Sequence, residues 1–260
     1  MEQYNFVIQS AIAGILASLA CGLGSLPLLV KTLDVERKVG LGYGFAGGLM
    51  FSASVYNLLL PALNLGETTI SLGQVILTLG GIFSGAGFLW GVEHYLTPKR
   101  LGNSILRRIG SRKEILIFVA MSFHSIPEGV AVGVGYTSTE QITATTDLGH
   151  YIALAIAIHN IPEGLAVAIP MRASGASITK CFLFAFLTSL PQPLAAVPAS
   201  LLVWFFKPLM VPFLGFAAGA MMFLVIVELI PDALGDRTAN EIAWAFILGF
   251  GGMVLIQVIL

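Results

Sequence analysis

Apolar runs of roughly 20 residues, the length that crosses a bilayer as a helix, recur from one end of this chain to the other. Short polar breaks marked by glycine, proline and charge separate them. The pattern predicts eight spans, at about 6–30, 41–63, 70–92, 114–136, 149–171, 178–204, 208–232 and 241–260. Composition agrees: 57% of the 260 residues are hydrophobic and 10% are charged, with a mean hydropathy of +0.90. A soluble domain is excluded. The expected fold is an all-α polytopic membrane protein, a single transmembrane domain over 1–260.

Charge then orients the spans. The odd-numbered connections hold Lys31, Arg37, Lys38, Lys99, Arg100, Arg107, Arg108, Arg112, Lys113, Arg172, Lys180 and Arg237, leaving Lys207 alone on the other side. Cytoplasmic loops carry such an excess, so both termini are expected outside. The longest cytoplasmic loop, 93–113, is basic and faces anionic membrane lipid. The net charge of −1 names no partner, and no nucleic acid is expected. The opening MEQYNF has no basic region ahead of its apolar run, so no cleaved signal peptide is expected. Cys21 and Cys181 both fall in apolar runs, which argues against a disulfide framework.

One phrase appears twice. Residues 124–133 read HSIPEGVAVG and residues 159–168 read HNIPEGLAVA. His124 and Glu128 are four apart, as are His159 and Glu163, so each pair shares one helix face. The proline between them has no N–H and frees the carbonyl of Phe123 in one copy and Ile158 in the other. Each histidine lies about nine or ten residues into its span, about 14 Å deep and near the middle of a core about 30 Å thick. The two copies run antiparallel and meet there. Two carboxylates in a low dielectric need a proton or a cation between them. A divalent-metal site explains the whole set, and imidazole with carboxylate suits zinc, iron or manganese. The absence of a thiolate favours release, hence transport, over permanent structural binding.

Other residues leave two readings each. Ser125 and Asn160 follow the histidines and either present oxygens or hydrogen-bond between helices. Gln192, between Pro191 and Pro193 at similar depth, either ligates through its carbonyl or is a neutral hydrogen-bonding residue. Residues 44–58 align with 215–229, matching Met50 to Met221 and Asn57 to Glu228. Those spans run in opposite directions, so the repeat is inverted, a transporter signature: the first three and last three spans flank a central antiparallel pair. On this reading Glu228 lies near the cytoplasmic end and Asn57 near the outer end. Glu93 and His94 open the cytoplasmic loop, either to receive a departing cation or as an interfacial pair.

Together these residues resemble the ZIP (Zrt/Irt-like) metal transporters, particularly the prokaryotic GufA-like branch. Gly-Leu-Gly-Ser-Leu-Pro in the first span and His-Asn-Ile-Pro-Glu-Gly in the fifth carry the resemblance, which covers nearly the whole chain. It implies movement of divalent metal into the cytoplasm, zinc above all and also iron, manganese or cadmium, as substrate and not as cofactor. It also implies a homodimer with an elevator-like movement in a bacterial inner membrane. By position, His124, Glu128, His159 and Glu163 resemble the primary metal site, with Met50 as neighbour. Ser125, Asn160 and Gln192 resemble a second site found in binuclear members. The chain departs from that pattern at Ser125, where asparagine is common, at Gln192, where glutamate is frequent, and at Val227, where a histidine often precedes the glutamate.

The rival class is a membrane-embedded metalloenzyme, an intramembrane protease or lipid hydrolase. A zinc protease is expected to carry His-Glu-x-x-His, with its glutamate beside a ligand. Neither copy has that order.

Overall fold

A computed structural model describes residues 5–30, 35–64, 71–95, 112–141, 148–173 and 175–259. Among them every regular element is helical. Helix α1, Asn5–Leu23, runs on into a tight turn at Leu26–Leu29. Helix α2 begins as Val35–Ala53, passes through a wider π-helical turn, Ser54–Leu59, and ends as Leu60–Asn64. Then come α3 (Leu72–Tyr95), α4 (Arg112–Gln141) and α5 (Leu148–Ala173). Helix α6 is in two halves, Ile178–Thr188 and Pro191–Phe205. Helix α7 is Met210–Leu224, a π-helical turn Val225–Leu229, and Ile230–Asp236, and α8 is Ala239–Ile259.

Seven stretches among the described residues, in every helix but α4, are long and apolar enough to cross a membrane. The chain is an integral membrane protein. Helix α4, at 30 residues, covers the chain over 114–136 and is not among those seven.

Proline accounts for the irregular places. Pro61 and Pro231 have no N–H for the carbonyls of Asn57 and Val227, and each helix widens just ahead of them. There the N–H of Leu60 reaches Val55 O, and the N–H of Ile230 reaches Val225 O, five residues back in both cases. The sixth span, expected as one run over 178–204, breaks at Ser189 and Leu190. Pro191 opens its second half, where a missing donor costs nothing, and the N–H of Gln192 bonds Ser189 O at 3.0 Å.

Helix α1 meets α6 through the stacked rings of Phe6 and Trp204, 4.7 Å apart. The end of α4 lies against the start of α5, since Gly149 abuts Tyr136 and Gly135 abuts Ile152. Helices α4 and α5 are therefore antiparallel. Helices α3 and α8 lie outermost, presenting Leu72, Phe83, Trp90, Trp244 and Leu248 outward. These are the faces a bilayer covers. Cys21 and Cys181 are both free and buried.

Lys31, Lys99, Arg100, Arg107 and Arg108, on which much of the orientation argument rests, lie outside the described residues, as does most of the loop 93–113, including the side chain of Glu93. His94 is described, exposed and stacked on Trp90 at 5.6 Å.

Candidate metal site

The repeated phrase places its polar groups in the interior. His124, Glu128, His159 and Glu163 are each at most 5% exposed. Proximity of α4 and α5 to their neighbours depends on the glycine that follows each glutamate. A side chain on Gly129 would strike the Gln192 carbonyl of α6, and one on Gly164 would strike the Cys21 carbonyl of α1. Backbone thus touches backbone one residue beyond each glutamate.

Potential ligand atoms of Glu128, His159 and Glu163 all lie within 4.8 Å of one another. His159 Nε2 is 3.3 Å from Glu128 Oε1. Glu128 Oε2 accepts from the Gln192 amide. Two carboxylates and an imidazole so close and so dry are electrostatically incomplete without a proton or a cation. Ligand bonds of about 2.0–2.2 Å set two ligands of one ion at most about 4.4 Å apart, so movements of under about 1 Å would let one ion touch all three.

The fourth member of the expected set is elsewhere. His124 Nε2 pairs with Glu228 Oε2 on α7 at 3.3 Å. Glu228 therefore meets the first copy of the phrase through its histidine.

Asn160, Gln192 and Ser125 form hydrogen bonds between helices. Asn160 donates through Nδ2 to Ala17 O at 3.0 Å and to Gln192 Oε1 at 3.1 Å. Ser189 Oγ also donates to Gln192 Oε1, at 2.9 Å. Ser125 Oγ donates to Met121 O at 3.1 Å and to Thr188 O at 3.2 Å. Met50 is buried in the apolar core, its carbonyl accepting from Ser54. Sequence reasoning passed over Cys21, Thr188 and Ser189. Cys21 is buried with its carbonyl under Gly164, and the backbone oxygens of Thr188 and Ser189 accept from Ser125 and Ser18 beside the network of Gln192. The signal available was the position of Cys21 beside Gly22, Gly24 and Pro27, where small residues bring helices together.

Asn160→Ala is expected to destabilise the fold by about 2 kcal/mol, because it strands a buried backbone oxygen and removes a donor from Gln192. Thermal unfolding in detergent measures it, and an unchanged midpoint would mean these bonds are not formed.

The stretch that carries Glu128, His159, Glu163 and Glu228 also matches a known family. Residues 103–257 match the family described as ZIP Zinc transporter. The Zinc transporter GufA of Myxococcus xanthus is 33% identical over 91% of this chain and 94% of its own length. Zinc transporter ZIP11 of Homo sapiens is 40% identical over 60% of this chain and 45% of its own length. A relative from Arabidopsis thaliana is 32% identical over 90% of this chain, which spans only 36% of that protein.

Proposed function

The chain belongs to the ZIP zinc transporter family, and from that premise we propose that it carries divalent metal ions, zinc foremost, into the cytoplasm through Glu128, His159 and Glu163. The observation that carries this reading is the convergence of those three buried groups to within 4.8 Å where the two copies of one phrase cross. His124 and Glu228 form the adjoining pair, one helix away on the side of α7. The family is one of transporters, which removes the support for a membrane-embedded hydrolase. Iron, manganese and cadmium are the competing substrates. We place the protein in a bacterial inner membrane as a homodimer, with both termini outside.

The finer architecture is part of the proposal: eight spans, with α1–α3 and α6–α8 as an inverted repeat about α4 and α5. A single sequence offset supports it. Ser18 Oγ donates to Ser189 O across a separation of 171 residues, as if a two-fold axis passed between them. The same offset relates Ala17, which accepts from Asn160, to Thr188, which accepts from Ser125. It relates Cys21, beneath Gly164, to Gln192, beneath Gly129. It also relates the two π-helical turns. Phe45, whose carbonyl lies under Gly249, maps onto Phe216, whose carbonyl lies under Gly85. Each half thus makes to one copy of the phrase the contacts that the other half makes to the other copy.

Purified protein in liposomes loaded with a zinc indicator provides the test. Time-dependent zinc uptake that manganese, iron and cadmium compete for is expected, and Glu163→Ala should abolish it. Hydrolysis of peptide or lipid without uptake would defeat the proposal.

A further inference from the structure

A carboxamide has two lone pairs on its oxygen and two N–H donors on its nitrogen. Gln192 is fully buried. Its Oε1 accepts from Ser189 Oγ at 2.9 Å and from Asn160 Nδ2 at 3.1 Å, so both lone pairs are engaged. Its nitrogen donates to Glu128 Oε2. Turning the amide over would set its oxygen against a carboxylate and its N–H groups against the Asn160 donor. The network itself therefore decides the orientation.

The nearby hydroxyl and amide nitrogen are engaged as donors. The Ser125 hydroxyl points at the backbone oxygens of Met121 and Thr188. The Asn160 amide nitrogen is spent on Ala17 O and Gln192. Asn160 Oδ1 is buried without a hydrogen-bond partner, but one amide oxygen is too few ligands for a divalent ion. With Oε2 fixed by Gln192, Glu128 turns Oε1 toward His159.

We infer that Gln192 is a positioning residue, whose N–H group occupies the place a second cation would need and aims Glu128 at a single ion. The inference rests on the proposed Glu128–His159–Glu163 site. It makes the site mononuclear because Gln192, with both lone pairs of its oxygen engaged, meets Glu128 with a donor where a second ion would need a ligand.

The test counts zinc on purified protein after equilibrium dialysis against zinc alone, and pairs that count with uptake kinetics. Wild type should hold one zinc ion per chain that His159→Ala loses. Gln192→Glu, which exchanges the donor for a carboxylate oxygen, should hold two. Gln192→Met keeps the volume without the donor. It should still hold one, with KM for zinc uptake raised about tenfold or more, as for loss of a group orienting a metal ligand, and Vmax within about twofold. A merely structural role would lower the yield of folded protein and leave KM alone. Two His159-dependent ions in wild type, one ion in Gln192→Glu, or an unchanged KM in Gln192→Met would each overturn the inference. Zinc retained in full by His159→Ala would instead overturn the site on which it rests.

Discussion

His159→Ala is expected to lower zinc uptake about 100-fold or more while leaving the protein inserted and folded. Loss of a group that merely orients a metal ligand costs about 10–100-fold in affinity, and His159 is proposed as a ligand itself. Its removal also takes away the imidazole 3.3 Å from Glu128 Oε1, leaving Glu128 and Glu163 facing one another. Those carboxylates can then stay close only by holding a proton, which competes with the metal. Uptake into liposomes, normalised to protein that elutes as a single species, measures the effect. Wild-type uptake by correctly inserted His159→Ala would remove the metal from this place.

The largest effect on stability is expected from Gly164→Ala. The new Cβ would overlap the Cys21 carbonyl, backbone on backbone, with no flexible side chain to give way. Overpacking by a methyl group costs about 1–3 kcal/mol in well-packed interiors, and this position belongs at the upper end. Helices α1 and α5 would have to part. Asn160, one turn away, would then lose Ala17 O, so uptake should fall along with the unfolding temperature. Gly80→Ala on the outer face of α3 is the control, since nothing lies within 4 Å of its Cβ position. It should change stability by less than about 1 kcal/mol. Equal unfolding midpoints for the two variants would contradict the close approach of α1 and α5.

The residues of the candidate site stand out in the sequence because a membrane interior is unforgiving. A histidine and a glutamate one helical turn apart, inside an apolar run, need a reason to be there. That reason strengthens when the same phrase recurs in the next run. The bond of Asn160 to a backbone oxygen was one of two readings left open by its type, since an amide both accepts and donates. Only the positions of Ala17 and Gln192 around it show that its nitrogen is fully engaged. The pairing of His124 with Glu228 could not be read from spacing, because those residues lie on α4 and α7, and the π-helical turn shifts the face that Glu228 occupies.

By itself the sequence determined what the membrane and the backbone demand locally: long apolar helices, a buried His/Glu pair on each of two antiparallel spans, and a glycine after each glutamate. These follow from hydropathy, from the helical repeat and from the covalent nature of proline and glycine, so no neighbour is needed to infer them. Tertiary structure alone decided which of the polar groups meet. Glu128, His159 and Glu163 converge while His124 turns to Glu228, and Gln192 spends its oxygen on Ser189 and Asn160. Those choices depend on helix rotations and close backbone contacts between segments far apart in the chain, where shifting one helix by a residue turns a ligand into a packing group.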